Sequence, residues 1–157
     1  MSHDTGADVG ELLTMSRPEL DRLFRASHPG EIPRGEGRGT VLVARGAKVS
    51  KAAATLARLL AWQGKVFDRD GGGLRNRVTP FGIRAIRAKV YRDESLLGGG
   101  ECIVLDYSRT SLVAHWIRDE IRQIGPHLYL GVVYWGRRRI LNFSLHFASP
   151  VRIPETS

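Results

Sequence analysis

The densest run of reactive side chains in this 157-residue chain lies between Leu105 and Gly131, LDYSRTSLVAHWIRDEIRQIGPHLYLG. Asp106, Tyr107, Ser108 and Arg109 fall where a strand is expected to end and a helix to begin. His115, Arg118, Asp119 and Arg122 stand three and four apart, the spacing of one helix face. A histidine beside an aspartate suits general-base chemistry with its tautomer held. The same spacing also describes a solvent-facing helix laced with His–Asp and Asp–Arg pairs, and Asp106 can equally cap a helix or bind an arginine. With His146 in the last strand, the candidates for proton transfer are Asp106, Tyr107, His115 and His146.

Other chemistries find less support. Cys102 sits mid-strand between apolar residues and reads as a small buried hydrophobe rather than a thiolate. No serine lies in a G-x-S-x-G elbow. His3, His28, His115, His127 and His146 offer no pair at short spacing on one element, so no metal site is expected. An axial haem contact from His146 is the remote rival. The glycine clusters 71–73 and 98–100 neither end in Lys-Ser/Thr nor open a helix, so they are not phosphate loops, and no cofactor is expected.

The elements that must position these groups are mostly strands. Ser16-Arg17-Pro18-Glu19 reads as a helix start, with Ser16 as cap and Leu20, Leu23 and Phe24 on one face. Residues 29–39, PGEIPRGEGRG, read as a loop, and Thr40–Ala44 as an edge strand. A second helix is expected over Lys51–Ala61 with Ala53, Leu56, Ala57 and Leu60 on its apolar side. Strands are expected over Trp62–Asp68, Leu74–Thr79, Ile83–Arg92, Glu101–Tyr107, His127–Tyr134 and Arg138–Phe147, the last two joined by a tight hairpin at Trp135-Gly136-Arg137. Leu112, Val113, Trp116, Ile117, Ile121 and Ile124 predict one inserted helix, capped at Thr110 or Ser111 and stopped by Gly125-Pro126. Short strands with Gly-rich turns point to a mainly β, antiparallel sheet that curls into a barrel or half-barrel, because a flat sheet of this length would leave long exposed edges.

In the last strand Leu141, Phe143, Leu145 and Phe147 alternate with Ile140, Asn142, Ser144 and His146. One face is core. The other meets water or lines a cavity with sparse polar groups. Residues 1–15 are expected to be a flexible N-terminus, 16–150 one barrel domain with two leading helices, and 151–157 a tail.

Composition is that of an ordinary globular chain, 42% hydrophobic and 25% charged, which excludes wholesale disorder. No apolar run approaches the ~20 residues of a spanning helix. A single cysteine excludes an internal disulfide framework. The start MSHDTGADVGELL lacks a basic n-region and an apolar h-region, so a cytoplasmic protein is expected. The net charge is +8, and the excess falls in residues 41–100. A basic middle suits phosphate, nucleic acid or an anionic lipid surface, or is simply a solvated arginine-rich face. Arg137-Arg138-Arg139 beside Tyr134 and Trp135 has the look of a stacking platform, but no RNP, helix-turn-helix or zinc-finger pattern accompanies it, and nucleic acid is not the expected partner.

Trp62-Gln63-Gly64-Lys65, followed by Phe67, completes W-x-G-K-x-F. With the helix and loop before it, this resembles the bacterial GXWXG/DUF4334-type families over about residues 16–82, and more loosely the G-x-W start of the lipocalin and fatty-acid-binding (calycin) barrels. Ala61 precedes Trp62, and the leading glycine of either motif is missing or displaced. The resemblance implies a small lipocalin-like barrel that binds an apolar small molecule, with Trp62 packed at the closed end against one of Arg137, Arg138 or Arg139.

The expected function is binding of a hydrophobic, acid-bearing small molecule in a barrel cavity. Arg84, Arg87 or Arg109 would meet the acid, and Trp62, Tyr91, Tyr129, Asn142 and Ser144 would complete the ligand contacts. The alternative is a cyclase or isomerase on the same cavity. A nucleic-acid or anionic-lipid binding module is the third reading. Oligomeric state is left open.

Overall fold

The computed structural model describes residues 8–42, 62–78, 87–108 and 115–148, with side chains described except at 62–64 and 75–78. The expected helix over Lys51–Ala61, Arg84, Arg109 and the tail 151–157 lie outside the described residues. Two helices lead: α1 (Val9–Thr14) and α2 (Arg17–Ala26). Eight strands follow: β1 (Gly35–Leu42), β2 (Trp62–Phe67), β3 (Gly73–Val78), β4 (Arg87–Glu94), β5 (Glu101–Asp106), β6 (Ile117–Gly125), β7 (Leu128–Trp135) and β8 (Arg138–Phe147). Each pairs antiparallel with the next, and β1 pairs with β8, so the sheet is a closed barrel.

Closure corrects one expectation: β1 is no edge strand. It begins inside the stretch expected to be loop, at Gly35, and runs against β8 from Gly37↔Phe147 to Leu42↔Asn142. It also pairs with β2 on its other side. The hairpin between β7 and β8 turns at 136–137 as expected.

A second correction concerns residues 117–124, expected to continue the inserted helix. They form strand β6, hydrogen-bonded to β5 and β7. Ile117 and Ile121 fit a period of two as well as 3.6. What hid the strand is that both of its faces are buried and carry charges: Asp119 points inward with the isoleucines, while Glu120 and Arg122 are buried on the outer face. Without polar–apolar alternation, a strand loses its usual sequence signature.

The N-terminus also differs from expectation. Residues 9–14 are helical, with the Asp8 side chain accepting from Glu11 N–H at 2.8 Å and Leu12 buried. In α2, Ser16 Oγ accepts from Glu19 N–H at 3.3 Å, and Leu20 and Phe24 are buried. The two helices cover the outer wall, where they meet Leu42, Cys102, Val104, Leu128, Leu130 and Val132. The barrel interior holds a separate cluster, including Phe67, Ile103, Leu105, Ile121, Phe143 and Phe147.

Two aromatic rings occupy space that glycines leave open. Phe143 faces Gly131 across the β7–β8 ladder, and a Cβ on Gly131 would stand 2.2 Å from its Cζ. Phe147 faces Gly37 across β1–β8, where an added Cβ would stand 2.6 Å from its Cζ. Phe147 also meets Phe67 and Tyr129 edge-on, at 5.7 and 5.5 Å between centroids. These rings fill one end of the barrel, which the segment between α2 and β1 closes. Tyr129 Oη donates to Glu31 O at 2.5 Å, Arg92 to Gly30 O at 2.8 Å, and Gln123 N–H to Pro29 O at 3.1 Å.

Gly131→Ala should therefore destabilise the barrel by about 1–3 kcal/mol through overpacking, read as a lower urea midpoint. Adding Phe143→Leu to the same chain should recover part of the loss, because the methyl then has somewhere to go.

Candidate functional site

Lys65 alternates with Phe67 on β2, and alternation on a strand sends both to the same face. Phe67 belongs to the interior cluster, so Lys65 is carried into the barrel. Asp119 is carried inward in the same way between Ile117 and Ile121 on β6. The two meet: Lys65 Nζ lies 3.0 Å from Asp119 Oδ2, with both side chains removed from solvent. Lys65 also donates to the Tyr107 hydroxyl, which enters from the end of β5. Its ammonium lies 5.0 Å from the Tyr107 ring centroid and 5.6 Å from that of Phe143. Asp119 Oδ1 is buried with no hydrogen-bond partner among the described residues.

Burial controls the electrostatics of this group. Desolvation pulls Lys65 below the usual ammonium range, opposed by the charge and hydrogen bond of Asp119. Desolvation pushes Asp119 above the usual carboxylate range, opposed by Lys65 and Tyr107. Both shifts favour the neutral forms, as expected for charges placed in an apolar interior. The arrangement can hand a proton between carboxylate, amine and phenol, or hold a polar ligand group against Oδ1.

Of the four proton-transfer candidates Asp106, Tyr107, His115 and His146, only Tyr107 joins this cluster, and Asp119 enters it from a strand rather than from a helix face beside His115. Asp106 lies on the outer wall, where its carboxylate accepts from Tyr91 Oη at 2.9 Å and from Ser108 N–H at 2.9 Å. Burial works to raise its pKa, but the Ser108 and Tyr91 hydrogen bonds outweigh that and hold it below the usual range. His115 is an exposed turn residue, its Nδ1 3.2 Å from Ser108 O and its ring edge-on to Trp116. His146 is exposed on the outside of β8 and lines a shallow cleft of about 600 Å³ with Asp8, Arg38 and His127.

The ligand-binding expectations scatter similarly. Leu141, Phe143, Leu145 and Phe147 form the inward face of β8, so Asn142 and Ser144 lie on the outer wall. Asn142 donates to Gly131 O at 3.2 Å and accepts from Arg139 at 2.8 Å, while Arg139 also pairs with Asp21 at 2.5 Å. Arg87 and Tyr91 are exposed outward-facing residues of β4. Tyr129 points inward but is used at the closed end, and burial, then the nearby Glu31 charge, pushes its hydroxyl up to about 12. Trp62 opens β2 on its backbone, with its side chain outside the described set; Arg137 and Arg138 are exposed in the opposite hairpin.

Sequence pattern assigned Lys65 no role of its own and set Asp119 beside His115 on a helix face. Lys65 had a signal, its place two residues before an inward phenylalanine. The same signal for Asp119 was overridden by the helical reading. Cys102 is buried on the outer wall as expected, and burial, then the nearby Glu120 charge, pushes its thiol up to about 12. Among the described residues, no group of three or more His, Cys, Asp or Glu is placed to hold a metal, and no helix is long and apolar enough to cross a membrane.

Comparison with known proteins bears on the fold. A protein from Thermomonospora curvata, known from a crystal structure, has a similar fold, with a TM-score of 0.58 and 18% identity over 87% of this chain and 90% of that one. No family model matches the sequence. No curated protein matches it either.

The ion pair gives opposite pH signatures to its two single variants. Lys65→Met leaves Asp119 alone, with a folded pKa above the unfolded one. The folded state then holds a proton that the unfolded state loses above about pH 4, so stability falls as pH rises toward the folded value. Asp119→Asn leaves Lys65 alone with a depressed pKa, so stability rises with pH up to about 10.5. Each single variant should cost about 3–5 kcal/mol at its unfavourable end, and Lys65→Met/Asp119→Leu should restore most of it with neither slope. Urea unfolding at several pH values reads all three. Cys102 should also resist a disulfide reagent until the chain unfolds.

Proposed function

We propose that this protein is a cytoplasmic small-molecule-binding barrel of calycin-like character, whose guest is apolar with one acidic or hydroxyl head group. Lys65, Tyr107 and Asp119 form the polar anchor. The observation that carries the reading is Asp119 Oδ1, fully buried inside an apolar barrel with no hydrogen-bond partner among the described residues. An unmet buried acceptor costs on the order of 1–3 kcal/mol or more when charged, and a ligand donor placed there removes that cost. An alcohol supplies the donor, and its oxygen can accept from Lys65 Nζ in return; a carboxylic acid does the same only in its protonated form. The surrounding wall of Ile117, Leu105, Val133 and Leu141 is apolar and suits a hydrocarbon body.

The guest would lie toward the end opposite the closed one, because Phe67, Phe143 and Phe147 already fill the other half. In this reading the anchor is Lys65 rather than the arginines expected from the sequence. Lys65 lies within the W-x-G-K-x-F run that carries the resemblance to calycin barrels.

A second reading, an isomerase or cyclase, draws on the same group. An unpartnered carboxylate oxygen beside an ammonium and a phenol is a proton-transfer set that needs only a bound carbonyl compound.

A matched series tests the anchor: octanoic acid, octanol and methyl octanoate, followed by titration calorimetry. The alcohol should bind at one site, and the acid should join it there only as the pH falls to its own pKa and it carries a proton. The ester, which has no donor, should bind at least about tenfold more weakly. The folded double variant Lys65→Met/Asp119→Leu should lose the discrimination. Equal binding of the ester, or unchanged discrimination in the double variant, would overturn the proposal.

A further inference from the structure

The barrel has two unlike ends. At the closed end, the turns and strand ends carry Asp68, Asp70, Asp93, Glu94 and Glu101. At the other end, Asp106 is the acidic residue among the described strand ends, and its carboxylate is already engaged by Tyr91 and Ser108. Basic residues dominate there: Arg87 starts β4, and Arg137 and Arg138 are exposed at the β7–β8 turn.

The same end displays two large aromatic side chains. Trp116 is 56% exposed and Trp135 is 43% exposed. They belong to neighbouring turns: Ile117 pairs with Trp135, and Gly136 N–H donates to Trp116 O at 2.8 Å. Two indoles left in water beside two exposed guanidinium groups are costly to solubility and gain nothing for the core. Indole is suited to the boundary between lipid headgroups and acyl chains, and arginine to anionic headgroups.

We infer that this rim, Trp116 and Trp135 with Arg137 and Arg138, docks the protein on an anionic lipid membrane surface. Charge complementarity selects the partner: the acidic end faces away, and the basic end faces the lipid. The indoles enter the headgroup layer while the guanidinium groups stay at its surface. The inference is independent of what the barrel holds, so its test uses protein and vesicles with no added ligand.

The test is co-sedimentation with phosphatidylcholine vesicles, with and without one quarter phosphatidylglycerol. The wild type should partition onto the anionic vesicles and lose them in 0.5 M salt, where screening shortens the reach of the arginines. Arg137→Ser/Arg138→Ser should lower partitioning roughly thirtyfold, at about fivefold per arginine. Trp116→Ser/Trp135→Ser should lower it at least about tenfold. Arg69→Ser, at the acidic end, serves as the control and should stay within about twofold. Circular dichroism confirms that each variant is folded. Equal partitioning onto neutral vesicles overturns the inference, as does wild-type behaviour in both rim variants. Binding of single-stranded RNA without binding of anionic vesicles also overturns it and assigns the rim to nucleic acid.

Discussion

Closure of the sheet is the constraint on which everything else rests. When β1 pairs with β8, every strand gains a partner on both sides and no edge is left to recruit another chain. A closed wall then divides the chain's residues strictly into inside and outside, because side chains alternate along each strand. One residue of slip in the β1–β8 ladder would turn Gly37 outward and leave Phe147 opposing a larger side chain. The glycine–phenylalanine pairs at Gly37 and Gly131 are therefore part of what fixes the register, since a ring lies where any other residue would place its Cβ.

The outer wall is organised by buried charges of a different kind. Arg122 is fully buried beneath α2, where it donates to Phe24 O, Glu101 O, Gly98 O and Gly100 O and stacks on the Phe24 ring. Glu120 accepts from Ser95 Oγ, Leu96 N–H and Arg118. Together they tie the 95–100 turn and the C-terminal end of α2 to β6. Backbone carbonyls at a helix C-terminus carry partial negative charge, so a guanidinium there needs no carboxylate partner. These charges are satisfied and structural. Asp119, one position away on the same strand, faces the interior instead, and its place beside Lys65 and Tyr107 in an apolar barrel separates candidate site from scaffold.

Interior chemistry and exterior charge point along one axis. The end closed by the Gly30–Glu31 segment is packed with rings and carries acids. The polar trio of Lys65, Tyr107 and Asp119 lies on the other side of that packing, nearer the end that bears the exposed tryptophans and arginines.

Much of this architecture was legible in the chain. The 138–147 alternation, the strands at 62–67, 73–78 and 101–106, the capped helix at Arg17 and the tight turn after Trp135 all follow from local rules of period, branching and turn chemistry, which act over a few residues. Those rules were enough to imply an antiparallel sheet that curls. They misread residues 117–124, because burial on both faces erased the alternation that marks a strand. They could not say which face of 138–147 looks inward, since both faces are compatible with a core until the sheet closes. They could not bring Lys65 to Tyr107, 42 positions away, or to Asp119. Those meetings depend on strand register around the whole barrel, a property of the assembled sheet that no short window of sequence contains.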